Sequence, residues 1–181
     1  MKLTTKRLIL RDIELKDAKD LVKQINNINI SKWLLVVPYP YTMKDAKWYI
    51  NNCKEKKKRP RTSYSFSVEL KEKPGIIGGI GLSKVNIEQG TADIGYWIGE
   101  DYWRKGYTSE GVGKLINYAF NKLKLRRLTI SAFKENKGSN GLAKSLGFKF
   151  EGTLRQVVKC KATGEIHDEN VWSLLKSEYQ K

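Results

Sequence analysis

Histidine occurs once in the 181 residues, at His167, and cysteine twice, at Cys53 and Cys160. Neither cysteine has metal-type spacing, so no metal is expected, and a disulfide framework is excluded. No apolar run approaches the roughly 18–20 residues that span a membrane. Nor does the start, Met1-Lys2-Leu3-Thr4-Thr5-Lys6-Arg7, have the apolar stretch of a signal peptide. A reduced, cytoplasmic protein with no membrane partner is the expectation. Acidic residues are also scarce, 19 against 35 Lys and Arg, for a formal charge of +16. What is present is a 40% hydrophobic complement with five Trp and nine Tyr, which argues against disorder despite the charge. The length fits one domain over residues 1–181 with a core of its own.

The charge is concentrated. Residues 54–61 carry a net +5 and residues 114–161 a net +10, and the rest is close to neutral. Lys and Arg neutralise phosphates, so nucleic acid is the first partner such a balance suggests. With 27 Lys and only 8 Arg, diffuse attraction is favoured over the bidentate recognition that Arg performs. A solvated basic surface is the plain alternative.

Periodicity predicts a strand at Leu8–Leu10 and a helix over 14–28, where Leu15, Ala18, Leu21, Val22 and Ile25 form a stripe of period 3.6. Pro38 and Pro40 interrupt the chain, and Thr42 caps a helix to about Cys53. The basic run 54–61 follows as a solvated loop. Tyr64, Phe66, Val68 and Leu70 alternate as in a half-buried strand. Turns at Pro74-Gly75 and Gln89-Gly90 bound strands at 76–87 and 92–98. A helix over 108–123, a strand at 128–133, a helix over 137–146 ended by Gly147, and strands at 148–158 and 170–175 complete an α+β fold. Its sheet is predominantly antiparallel, with a parallel crossover around 92–133.

The stretch Trp97-Ile98-Gly99-Glu100-Asp101-Tyr102-Trp103-Arg104-Lys105-Gly106-Tyr107-Thr108-Ser109-Glu110 runs from a strand through a glycine turn into a helix N-terminus. Unpaired N–H groups and the helix dipole there suit an anion, with Arg104 and Lys105 beside it. Gly106 removes the side chain that would obstruct it. An ordinary loop needing only a positive φ is the competing reading, and Glu110 is expected to face solvent or complement the dipole.

Several motifs in order resemble the GNAT N-acetyltransferases, in the branch of the RimJ/RimL ribosomal-protein N-terminal acetyltransferases. They are Thr5-Lys6-Arg7-Leu8-Ile9-Leu10-Arg11, Pro38-Tyr39-Pro40-Tyr41-Thr42 with Asp45-Ala46, Ile77-Gly78-Gly79-Ile80-Gly81-Leu82, Ala92-Asp93-Ile94-Gly95-Tyr96-Trp97, and Leu146-Gly147-Phe148 with Glu151-Gly152. The resemblance spans almost the whole chain and implies the GNAT acyl-CoA N-acyltransferase fold, with acetyl-CoA as cosubstrate. The diphosphate-binding pattern Gln/Arg-x-x-Gly-x-Gly/Ala aligns with Trp103-Arg104-Lys105-Gly106-Tyr107-Thr108, where Trp103 and Thr108 depart from the usual types. Trp97, Ile98 and Gly99 are implied to pair with the pantetheine arm, an N–H near Ile98 to meet the oxyanion, and Asn136 and Ser139 to contact the cofactor.

For the chemistry, relatives often carry a general-acid Tyr seven residues after the Asn, but Ala143 stands there. The resemblance implies Ser139 as the group that protonates the leaving thiolate, although a helix cap is its plain alternative. The ribosomal enzymes' Glu aligns with Val158, which cannot take a proton, and Asp93 aligns with a carboxylate common in this branch, so the resemblance implies Asp93 as the base, directly or through water. His167 reads as an incidental loop residue, and neither cysteine shows an activating partner for a covalent acyl-enzyme. Trp33, Tyr39 and Tyr41 lie where relatives shape the acceptor groove or pack the core, Trp33 the more core-like. The implied acceptor is a protein or peptide α-amine, with possible ribosome association, as a monomer or homodimer. A small amine (polyamine, aminoglycoside or amino acid) or a non-catalytic RNA-binding domain are the alternatives. The absent Tyr argues against a polyamine.

Overall fold

Apolar and polar residues alternate along 64–70, whereas the adjacent Ile76 and Ile77 are both buried, in different clusters, so the sheet is packed on both faces of its central strands. The computed structural model describes residues 1–57 and 61–179. Its strands are β1 (Lys2–Thr4), β2 (Leu8–Arg11), β3 (Tyr64–Leu70), β4 (Lys73–Asn86), β5 (Thr91–Ile98), β6 (Arg127–Phe133), β7 (Lys149–Lys159) and β8 (Ile166–Leu175). They form one sheet in the order β1-β2-β3-β4-β5-β6-β8-β7, antiparallel except for the β5–β6 pair. The α+β class and the parallel crossover hold.

Helix α4 (Tyr107–Asn121) makes that crossover. It buries Val112, Leu115, Ile116, Ala119 and Phe120 against Leu8, Leu10, Phe66, Ile80, Ile94 and Leu128. Each of these side chains but Ala119 contributes about 1.5–3 kcal/mol of burial. The helix can approach this closely because of Gly111, where a β-carbon would stand 2.4 Å from Ile80 Cδ1. Helix α5 (Lys137–Ser145) adds Ala143 to the same core. On the opposite face, α1 (Ala18–Ile25) and α3 (Met43–Glu55) enclose a second cluster of Ile13, Leu21, Ile25, Tyr41, Ala46, Ile50 and Ile76. Thr42 caps α3 reciprocally with Asp45, as expected.

Four expectations need correction. Strand β1 was not anticipated, since three residues carry no legible alternation. The turn after β3 is at Lys71-Glu72, with Leu70 opposite Lys73. Pro74 and Gly75 instead fill an irregularity of β4 between Ile76 and Lys73, where the Gly75 N–H donates to Glu69 Oε1 at 3.1 Å. The helix expected over 14–28 stops at Ile25. Asn27, extended and accepting from the Asn29 N–H at 2.9 Å, starts the separate one-turn α2 (Ile28–Ser31). Strand β8 begins four residues earlier than expected, because Ile166, His167 and Glu169 pair with β7, and Glu169 also with β6. The basic run leaves α3 at its C-cap, Lys56, while residues 58–60 lie outside the described residues.

One interruption of the sheet positions everything that follows. Strands β5 and β6 pair only at Thr91–Arg127, Ala92–Leu128 and Asp93–Thr129. Beyond Asp93 the first stays with β4 and the second with β8, so a gap opens between 94–98 and 130–133.

Candidate active site

The gap is edged by main-chain groups without a sheet partner. The Gly99 N–H donates to Ile77 O at 2.8 Å, and β4 and β5 pair without irregularity from Gly78–Ile98 to Ser83–Asp93. Peptide groups alternate sides along a strand, so those of Tyr96 and Ile98 point toward the gap. The Trp103 indole confirms this polarity by donating to Ile98 O at 2.9 Å. The Trp97 side chain lies on the other face, against the α1–α3 cluster.

At the end of the gap the chain turns into α4. Arg104 has φ of 58° and Gly106, the N-cap, φ of 75° and ψ of 5°. The first intrahelical bond runs from the Glu110 N–H to Gly106 O at 3.0 Å, so the N–H groups of Tyr107, Thr108 and Ser109 precede it without helical acceptors. Glycine is needed at 106 for the left-handed backbone, and a β-carbon there would stand 3.4 Å from an Arg7 guanidinium nitrogen. Arg104 and Lys105 flank the turn as predicted.

Arg7 is a member of this site that sequence reasoning missed. Its Nη1 donates to Lys105 O at 3.0 Å and its Nε to Glu110 Oε2 at 2.6 Å, and the guanidinium lies 4.5 Å from the Tyr107 ring centre. Its main-chain N–H and the Thr5 hydroxyl both donate to Glu110 Oε1, at 2.8 and 2.6 Å. Glu110 therefore does not face solvent; it clasps the loop between β1 and β2. Burial would raise its carboxyl, but the bonds from Thr5 and Arg7 prevail and hold it below the usual range. The signal in the sequence is the Thr-x-Arg of the opening motif, a likeness that does not by itself reveal the contact.

Across the gap stands the start of α5. Asn136 is its N-cap, accepting from the Ser139 N–H at 3.0 Å. The Ser139 hydroxyl lies 2.7 Å from the Tyr96 hydroxyl, in a hydrogen bond that either can donate. Burial pushes the Tyr96 phenol up, opposed by Ser139. Asn140 holds this turn in place: its Nδ2 donates to Phe133 O at 3.0 Å and Asn136 O at 2.8 Å, and its Oδ1 accepts from Asn170 and Trp172, each at 2.9 Å. Ala143 is fully buried in the core.

Asp93 occupies the last paired position before the gap and, by alternation along β5, faces away from Tyr96 and Ser139. Lys84 Nζ contacts it at 2.9 Å. Glu169 lies within electrostatic reach, hydrogen-bonded by Ser131. Its carboxyl is pushed up first by burial and then by the Asp93 charge, against the pull of Lys84. Further along this face, Phe133 stacks on His167 at 4.5 Å and meets Trp33 edge-on at 6.5 Å. His167 thus sits on a strand and not a loop, with Glu135 3.5 Å from Nδ1 and Glu165 3.7 Å from Nε2. Trp33 is half-buried and Tyr39 exposed, in the order expected, whereas Tyr41 is buried more deeply than Trp33, against expectation. Cys53 and Cys160 are both buried, the latter's sulfur 3.6 Å from Lys32 O.

The arrangement is a split sheet with a left-handed glycine turn and free helix N–H groups at one end, paired hydroxyls on one side and a carboxylate on the other. The family description "Acetyltransferase (GNAT) domain" matches residues 7–149. The chain is 37% identical over 179 residues to "Uncharacterized N-acetyltransferase p20" of Bacillus licheniformis, covering 98% of this chain and 97% of that protein. It is 35% identical over 81 residues to the ribosomal-protein-serine acetyltransferase of Escherichia coli, 45% of each chain. The structure of Mycobacterium smegmatis RimJ in complex with CoA-disulfide superposes with a TM-score of 0.87 at 16% identity, over 99% of this chain and 89% of that one, a likeness of fold. A split sheet of this kind and these matches define a GNAT acetyltransferase, the family to which the chain belongs. Within that family it falls in the RimJ/RimL-like branch, and it is an N-acetyltransferase.

Proposed function

We propose that the enzyme transfers acetyl from acetyl-CoA to the α-amine of a protein or peptide N-terminus. The observation that carries this is the gap between β5 and β6, which runs from the Gly106 turn to Asp93 with hydroxyls on one face and the carboxylate on the other. The residues fit acetyl-CoA: a left-handed glycine turn with free helix N–H groups suits a diphosphate, and the outward peptide groups of Tyr96 and Ile98 suit an amide-bearing arm. Arg104, Lys105, Gly106, Tyr107, Thr108 and Ser109 hold the diphosphate. The β5 segment Trp97-Ile98-Gly99 lies along the arm, and Asn136 sets the turn that presents Ser139 to it.

Bound there, acetyl-CoA supplies an acyl group activated as a thioester. The Ile98 N–H meets the charge that develops on the carbonyl oxygen. Asp93 takes a proton from the acceptor ammonium, directly or through water, and Ser139 donates one toward the leaving sulfur. An α-amine with pKa near ~8 asks less of such a base than a lysine near ~10.4. That difference, and the likeness to a ribosomal-protein-serine acetyltransferase, favour an N-terminal acceptor in the cytoplasm, with ribosome docking through the basic segments.

Mass spectrometry of acetylation across N-terminal peptides, lysine side chains and small amines tests the assignment. Peptide α-amines should gain acetyl, and exclusive labelling of small amines would overturn it. Asp93→Asn should lower kcat about 10²-fold and flatten the acidic limb of the pH–rate profile, with acetyl-CoA affinity retained. An unchanged profile removes Asp93 from the base role.

A further inference from the structure

Two hydroxyls meet across the gap, and the cofactor reading does not use one of them. Tyr96 belongs to β5, and Ser139 to the first turn of α5, on the far side. Their oxygens are 2.7 Å apart, and the contact is the hydroxyl bond crossing from the β5 edge of the gap to α5. The tyrosine ring packs on the main core, which fixes its direction, and Asn136 and Asn140 fix the serine. If Tyr96 donates to Ser139 Oγ, the serine proton is free to point at a third acceptor.

We propose that Tyr96 feeds a proton through Ser139 to the sulfur that leaves when acetyl is transferred. The inference rests on the acetyl-CoA reading above and adds the residue that supplies the acid. An aliphatic hydroxyl alone is a far weaker acid than a phenol, so Ser139 unassisted is a poor donor to a thiolate. Coupled to a tyrosine, whose ordinary pKa is about 10, it draws on an acid much closer to a thiol. Burial keeps that phenol protonated at neutral pH. As the carbon–nitrogen bond forms and the carbon–sulfur bond breaks, the electron pair stays on sulfur. Ser139 gives sulfur its hydroxyl proton, Tyr96 replaces the proton on Ser139 Oγ, and the proton shed by the acylated nitrogen returns to Tyr96 Oη through water. One proton has moved from nitrogen to sulfur, and both hydroxyls are restored. Tyr96 is a positioning residue in this scheme, since it acts through Ser139.

The test is the titration of free CoA bound to the full-length enzyme, followed by thiolate ultraviolet absorbance against pH. Tyr96→Phe keeps the packed ring, and Ser139→Ala keeps the main-chain N–H that Asn136 accepts, so both variants preserve the local fold. A hydrogen bond to a charged group amounts to about one to two pH units, so both variants should raise the bound thiol's midpoint by about that much. The double variant should raise it no further, as expected of groups acting in series. Tyr96→Phe should also lower kcat about 10²-fold with the acetyl-CoA KM changed less than about twofold. If CoA binds and the Tyr96→Phe midpoint stays within a few tenths of a unit of wild type, the Tyr96 role is wrong and the acetyl-CoA reading stands. If the wild-type enzyme binds no CoA, both fall together.

Discussion

Gly106 is the residue on which the proposed cofactor site turns, because the backbone there and the access of an anion to it both favour a missing side chain. Its φ of 75° is a conformation costing a side-chain-bearing residue about 1–2 kcal/mol, while a β-carbon there would meet only the end of the Arg7 side chain, at 3.4 Å. Gly106→Ala should therefore weaken acetyl-CoA binding about tenfold. Gly106→Asp, which also sets a negative charge in the turn, should abolish it by calorimetry. Equal, wild-type affinity in both would remove this turn from the binding site. This position was legible in the sequence because a strand, a glycine and an amphipathic helix are local patterns. Arg7 and Tyr96 were not, because their roles depend on contacts 98 and 43 residues away. Glu169 was equally hidden, since it becomes a gap residue only through β8 pairing beside β6.

The same distinction holds for elements. Helices α3, α4 and α5 and strands β3 to β7 follow from periodicity and caps, and they were read within one to three residues of their ends. The N-terminal turn of α1 depends instead on an ionic junction. Arg11, from β2, donates to both carboxylate oxygens of Asp17 at 2.8 Å and to Glu69 of β3 at 2.9 Å, with the Asp17 side chain only 4% exposed. Burial alone would raise Asp17 and Glu69, but the bonds from Arg11 prevail and hold both below their usual values. Carboxyls depressed in the folded state contribute stability that is present above their unfolded values, near ~4, and is lost as pH falls through the folded ones. Arg11→Met leaves a buried carboxylate without its partner and should cost about 3–5 kcal/mol in urea denaturation at pH 7. The difference should shrink as pH falls below about 4. A pH-independent difference between the two proteins would mean that packing, not charge, joins β2 to α1.

For the molecule as a whole, the fold explains where its +16 sits. The net +10 of residues 114–161 is carried by α4 and the elements after it, β6, α5 and β7, of which β6 and α5 border the gap. Only Arg127, Lys134 and Lys149 of that segment form ion pairs with carboxylates among the described residues. Most of its charge is left to act at a distance. A ligand bearing several phosphates, drawn to the Gly106 turn, approaches through that field before any hydrogen bond forms. Such attraction is screened over about 10 Å at 0.1 M salt, whereas contacts made inside the turn are screened less. Stopped-flow measurement of acetyl-CoA association should show the on-rate falling several-fold between about 20 and 300 mM KCl, with the off-rate changing far less. An on-rate indifferent to salt would mean that these lysines do not steer the cofactor, and would leave docking on an acidic macromolecule as the use of the basic face. The two outcomes separate because the cofactor is small enough to be held wholly by the turn and the gap, while a macromolecule must also touch the lysines around them.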